Sequence, residues 1–115
     1  MSSDSIFDKI LRKELPSSVV FDDEWVLAIK DITPSAPTHI LVIPKKKVLN
    51  FADYRHADPN EVGQFFVRVA KVADQLKLTG PGYRVVMNVG KDGGQSVPYL
   101  HAHILGGRSL DWPPG

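Results

Sequence analysis

The segment Tyr99-Leu100-His101-Ala102-His103 carries the residue types and spacing most suited to chemistry. On a strand, alternate side chains share a face. Tyr99, His101 and His103 then line one side, and Leu100, Ala102 and Ile104 the other. Two imidazoles stand about 7 Å apart on such a support. Near neutral pH an imidazole offers an unprotonated nitrogen, usable as nucleophile or metal ligand. The glycine-rich loop Gly90-Lys91-Asp92-Gly93-Gly94-Gln95-Ser96 lies just upstream. Its glycines let backbone amides approach an anion closely, and Ser96 adds a hydroxyl. Histidines beside an anion cradle suggest phosphate chemistry. The same residues also suit a half-buried strand making ordinary hydrogen bonds after a hairpin loop. The loop lacks the Gly-Lys-Ser/Thr ending of a Walker motif. His39, His101 and His103 would alternatively give zinc three nitrogens and leave one position open.

Other groups read more plainly. Lys45-Lys46-Lys47 suits phosphate or, as most short charge runs do, a solvated strand end. His56 reads as a surface loop residue. Trp112, stiffened by two following prolines, suits an anchor against another surface. The chain has 115 residues, 43% of them hydrophobic, which fits one domain over residues 1–115 and argues against disorder. Its net charge of +1 makes no electrostatic case for nucleic acid or a membrane surface. With no cysteine, disulfides and thiolate chemistry are excluded. No apolar run reaches spanning length, and the start Met-Ser-Ser-Asp-Ser lacks a leader's pattern. The expected location is the cytoplasm, with the nucleus also open.

The positioning elements follow from the pattern. Ser5 with Asp8 gives a capping-box start to a short helix that Pro16 ends. Val19 to Phe21 and Trp25 to Ile29 read as strands around an acidic turn. Asp31 to Pro37 is a loop, His39 to Ile43 a third strand, and a short helix starts at Asn50. Asp58 as N-cap, Pro59 at N1 and Glu61 at N3 open the long helix. Its stripe is Val62, Phe65, Phe66, Val69, Val72 and Leu76. Thr79-Gly80-Pro81-Gly82 stops it. Tyr83 to Asn88 is a strand before the glycine loop. Strands outnumber helices, and several connections are too short for parallel crossovers. The class is therefore α+β with a mainly antiparallel sheet.

Taken together, the segments resemble the histidine triad (HIT) nucleotide-binding proteins, in the purine nucleoside phosphoramidase branch. The resemblance rests on Ile6-Phe7-Asp8-Lys9-Ile10, Asp31-Ile32-Thr33-Pro34, Ala36-Pro37-Thr38-His39 and Leu41-Val42-Ile43-Pro44-Lys45. It extends through Asp92-Gly93-Gly94-Gln95-Ser96-Val97, His101-Ala102-His103-Ile104-Leu105-Gly106-Gly107-Arg108 and Trp112-Pro113-Pro114-Gly115. It implies a HIT-like α+β fold: a five-stranded antiparallel sheet, one long and one or two short helices, and a homodimer with a continuous sheet. It implies His101 as nucleophile on the α-phosphorus, with His103, His39 and Ser96 as further catalytic residues. Asn88, Gly94, Gln95, Ser96 and Val97 map to the phosphate loop, and Asp31 to the ribose-binding acid. Ile6, Phe7, Ile10, Ile29, Ile32 and Leu41 map to the purine pocket. Trp112 maps to the residue that reaches the partner subunit's site.

The expected activity is hydrolysis of purine nucleoside phosphoramidates, aminoacyl adenylates included. It gives a nucleoside monophosphate such as AMP and an amine through a nucleotidyl-histidine. No metal or other cofactor is expected. The chain departs from the family pattern His-φ-His-φ-His at Tyr99, which stands at the first histidine. Tyrosine relays protons poorly at neutral pH. The expectation is a ring beside His101 whose hydroxyl meets His39 or solvent. The alternative reading is a nucleotide-binding regulatory or scaffold protein with weak catalysis.

Overall fold

The structure is a computed structural model and describes residues 4–115. Helix α1 (Ile6–Leu11) starts at Ser5, whose hydroxyl accepts from the Asp8 N–H while Asp8 accepts from the Ser5 N–H. It stops at Leu11, well before Pro16. Lys13 takes a left-handed conformation (φ 62°), and the Glu14 and Lys13 amides bond back to the Lys9 and Ile10 carbonyls. That is a Schellman closure, which satisfies the last carbonyls without a proline. Six residues make no stable helix in water. Burial of Phe7 against the sheet contributes to holding this one in place.

Five antiparallel strands follow: β1 (Val19–Asp22), β2 (Val26–Lys30), β3 (Thr38–Pro44), β4 (Tyr83–Val86) and β5 (Ala102–Gly106). Their order across the sheet is β1-β2-β3-β5-β4. Between β3 and β4 lie a 3₁₀ segment (Phe51–His56), capped by Asn50 and Asp53, and helix α2 (Pro59–Gln75). Asp58 caps α2 through the Asn60 N–H. Glu61 takes no part in that cap and instead pairs with Lys46 at 2.6 Å. Helix α2 also ends early. Lys77 (φ 62°) makes a second Schellman closure through Asp74 and Ala73, ahead of Gly80.

Alternation assigns the two faces of the sheet. Val26, Ala28, Ile40, Val42, Leu100, Ala102 and Ile104 pack with Phe65, Val69, Val72 and Ala73 of α2. Leu27, Ile29, Leu41 and Ile43 face the other way, toward Phe7 and Tyr99. The histidine segment is less regular than expected. Ladder pairing begins only at Ala102, and β4 ends at Val86. Tyr99 bonds back to the Val97 carbonyl, and the Leu100 amide reaches the Val48 carbonyl at 2.7 Å. The facing nevertheless persists through this bend, so Tyr99, His101 and His103 stay on the α1 side.

Candidate active site

On β3, His39 lies opposite Leu105, and Leu41 lies opposite His103. His39 and His103 are therefore diagonal neighbours on one face. Their rings meet, with His39 Nε2 2.8 Å from His103 Nδ1. The loop before β3 turns the Ser35 N–H onto His39 Nδ1 at 3.0 Å. A backbone N–H only donates, so His39 Nδ1 is the acceptor and its proton sits on Nε2. That proton points at His103 Nδ1, which leaves His103 its own proton on Nε2. Asp31 Oδ2 lies 3.4 Å from the same His39 Nε2. Its Oδ1 accepts from the Thr33 N–H.

His101 is oriented from behind. Its Nδ1 lies 2.7 Å from the Tyr99 carbonyl oxygen, which only accepts. The Nδ1 proton is fixed there, and Nε2 is left with its lone pair. The Phe7 ring stands edge-on to His101 at 4.9 Å between centroids. The His101 and His103 rings are also 4.9 Å apart. Burial lowers the His101 pKa, against the upward pull of the Tyr99 carbonyl and Asp31. Burial, with His101 and His39 close by, lowers His103 to about 4. Both rings are therefore neutral at pH 7.

Tyr99 departs from both sequence expectations about its hydroxyl. It meets neither His39 nor solvent. It donates to the Pro44 carbonyl at 2.6 Å, and the ring is fully buried beside Phe7. Burial, and then Asp8, raise the hydroxyl pKa to about 12. The residue braces the end of β3 and offers His101 a main-chain oxygen.

The zinc trio of the sequence is not what converges. The described donors that gather are Asp31, His39 and His103, all within 4.8 Å of one another, without His101. A cation between them would need the His39 Nε2 lone pair. The Ser35 N–H keeps that nitrogen protonated, so the donor set does not fit a metal as it stands.

A cleft of about 270 Å³ opens beside the histidines. Ile6, Phe7, Ile10, Ile29, Asp31, Ile32 and Leu41, the whole apolar set and acid expected from sequence, line it. Ile32 stands 93% exposed at its rim. Leu15, Pro16, Ser17 and Lys30 also line it and were missed. Their one signal is position, since the chain leaving α1 must pass α1's own apolar face. Among the phosphate-loop candidates, the Asn88 amide donates to the Gly93 carbonyl at 2.7 Å. Gly94 turns with φ 76°, and a Cβ on Gly93 would meet the Val89 oxygen at 2.2 Å. Gln95 accepts from the Gly90 amide and donates to the Leu49 and Val97 carbonyls. Ser96 lies beside Pro98 on an open depression, and Val97 packs against the Phe7–Tyr99 cluster. Trp112 is 82% exposed. His56 is exposed beside Arg55, as expected of a surface residue.

The comparisons agree with this geometry. A family profile described as the HIT domain matches residues 12–110. The fold superposes with a TM-score of 0.92 on a HIT family hydrolase from Legionella pneumophila Philadelphia 1, 44% identical, covering 97% of this chain and all of that one. A 14 kDa zinc-binding protein of Zea mays is 51% identical over 98% of this chain and 89% of its own length. The adenylylsulfatase HINT1 of Arabidopsis thaliana is 48% identical over 98% of this chain and 78% of its own. A matched profile over most of the length, with its histidines on one face of the matching fold, places the chain in the HIT-domain family.

Proposed function

We propose that this protein hydrolyses purine nucleoside phosphoramidates, aminoacyl adenylates included, to a nucleoside monophosphate and an amine. One observation carries the reading: the Tyr99 carbonyl holds the His101 Nδ1 proton, so a neutral Nε2 lone pair faces the site. That nitrogen attacks the α-phosphorus, a P–N bond to His101 forms, and the bond to the leaving amine breaks. The amine leaves with a proton from the substrate or solvent. Water then attacks the nucleotidyl-histidine, the His101–phosphorus bond breaks, and the monophosphate departs. Dividing the displacement in two is the advantage of a covalent nucleophile. His103, protonated on Nε2, and Ser96 supply donors to the phosphoryl oxygens. The apolar cleft suits a purine, and Asp31 at its edge suits ribose hydroxyls. A sulfate leaving group fits the same scheme, as the Arabidopsis relative's name suggests. Tyr99 favours catalysis over the scaffold alternative, because its side chain stands outside the hydrogen bonds that set His101's tautomer.

The active form we propose is a C2 homodimer. The outer edge of β4 is unpaired among the described residues, with Tyr83 and Val85 exposed on it. Phe66 and Val67 of α2 are exposed too. Arg84 of β4 donates to the Leu110 and Asp111 carbonyls at 3.2 and 2.8 Å. This tether carries Trp112 toward the edge where a second copy would pair. The test is mass spectrometry of protein quenched during turnover of adenosine 5′-phosphoramidate. The reading expects a nucleotidyl group on His101; its absence, with no monophosphate released, refutes it.

A further inference from the structure

The three lysines after β3 are exposed, as a solvated strand end would be, but they are also paired. Each reaches a different element: Lys45 pairs with Asp22 of β1 at 2.5 Å, Lys46 with Glu61 of α2 at 2.6 Å, and Lys47 with Asp8 of α1 at 2.9 Å. The first two join parts of the scaffold. The third touches the site. From Lys47 the ammonium also sits 5.7 Å above the centre of the Tyr99 ring. Asp8 is the residue after Phe7, and Phe7 packs edge-on against both Tyr99 and His101. Burial works to raise the Asp8 pKa, but hydrogen bonds from Lys47 and Ser5 outweigh it and hold the group at about 2. The Asp8 side chain is only 14% exposed.

We propose that Lys47 and Asp8 form a strut that positions α1 over the nucleotide cleft, making Lys47 a positioning residue for nucleotide binding. The proposal rests on the nucleotide-hydrolase reading above. Helix α1 supplies Ile6, Phe7 and Ile10, three walls of the cleft. It is too short to hold its own place. Its described ties are the apolar packing of Phe7, Ile10 and Leu11, the Arg12 pairing with Asp4, and this strut. Lys47 connects α1 to the end of β3, where Tyr99 is already anchored through Pro44. Loosening it frees the wall that grips the nucleoside but leaves the His101–Tyr99 carbonyl bond in place. The effect therefore falls on binding rather than on the chemical step.

The experiment uses the full chain with K47M, K47R, D8N and D8N/K47M. AMP affinity is measured by calorimetry, and kcat and KM with adenosine 5′-phosphoramidate. For a partly buried ion pair near the upper end of the exposed range, K47M should raise the AMP Kd and the KM about fivefold, with kcat within about twofold. K47R, which keeps the charge and can reach Asp8, should bind like wild type. The double variant should be no weaker than D8N alone, because D8N already removes the Lys47 pair together with the Asp8 bond to the Ser5 N–H. Unchanged KM in K47M, a K47R as weak as K47M, or additive losses would each overturn the strut. A wild type that neither binds AMP nor turns over the substrate overturns the function itself, and the two failures are thereby distinct.

Discussion

Replacing Tyr99 with phenylalanine separates the two tasks the structure gives this residue. The ring fills the cluster under Phe7, Leu27, Ile29, Leu41 and Ile43. The hydroxyl makes a 2.6 Å bond to the Pro44 carbonyl. The substitution keeps the ring and the Tyr99 carbonyl that orients His101, and removes the hydroxyl alone. Losing a buried neutral hydrogen bond and leaving its acceptor unpaired costs about 1–1.5 kcal/mol. Over 115 residues the unfolding entropy is about 0.24 kcal/mol per kelvin, so the midpoint should fall by about 4–6 °C. Turnover should change less than about tenfold, or under about 1.4 kcal/mol of barrier. Tyr99→Ala should cost about 3–5 kcal/mol of stability, and more turnover, because it opens a cavity behind His101. Thermal unfolding followed by circular dichroism, beside steady-state rates on adenosine 5′-phosphoramidate, reads both effects. A Phe variant as inactive as His101→Ala would prove the hydroxyl catalytic. An unchanged midpoint would mean that the Pro44 bond contributes nothing.

The other predictions concern the nucleophile, its protonation and the assembly. His101→Ala should lose nearly all turnover while still binding AMP, and near-normal rates would end the mechanism. His101 must be neutral to attack, and burial lowers its pKa, so the acid limb of kcat/KM should lie below the ordinary imidazole value of 6.5; a limb above it would contradict the burial. His103 stays neutral in the fold down to about pH 4, whereas the unfolded chain protonates it from 6.5. The unfolded state then binds more protons, so stability should decline as pH falls from 6.5 toward 4, as urea midpoints across that range would reveal. Light scattering should find a dimer at micromolar concentration, where a monomer would refute the β4 pairing. Deleting residues 112–115 should change relative rates among leaving amines more than AMP affinity, and an unchanged ranking would count against Trp112.

Much of this was legible in the chain because it is written in local patterns. Alternation along Tyr99 to Ile104 assigned the faces correctly, with Leu100, Ala102 and Ile104 packed in the core under α2 and Tyr99 beside Phe7. Ser5 with Asp8, and Asp58 with Pro59, marked helix starts that the structure keeps. Helix ends were less readable. Lys13 and Lys77 close α1 and α2 in left-handed conformations, although the nearby Pro16 and Gly80 are the usual terminators. The partners of Lys45, Lys46 and Lys47 were invisible as well. Each lies on another element, and only the packed fold decides which carboxylate faces which ammonium.

The site's chemistry lies deeper than its residue types. His39, His101 and His103 are alike in sequence, yet the fold gives them three different roles through two main-chain atoms. The Ser35 N–H forces the proton of His39 onto Nε2, and so makes His103 a donor at its far nitrogen. The Tyr99 carbonyl takes the Nδ1 proton of His101, and so leaves a lone pair where phosphorus would be attacked. Neither atom belongs to a side chain, so no substitution pattern can display it. This also explains how the chain can carry tyrosine where its relatives' pattern has the first histidine. The position serves His101 through its backbone oxygen, which any residue supplies, and its side chain is free to brace the end of β3. Loss of an imidazole from the motif is then no evidence for loss of catalysis. The residues whose removal would be decisive are those that move the Ser35 amide or the Tyr99 carbonyl.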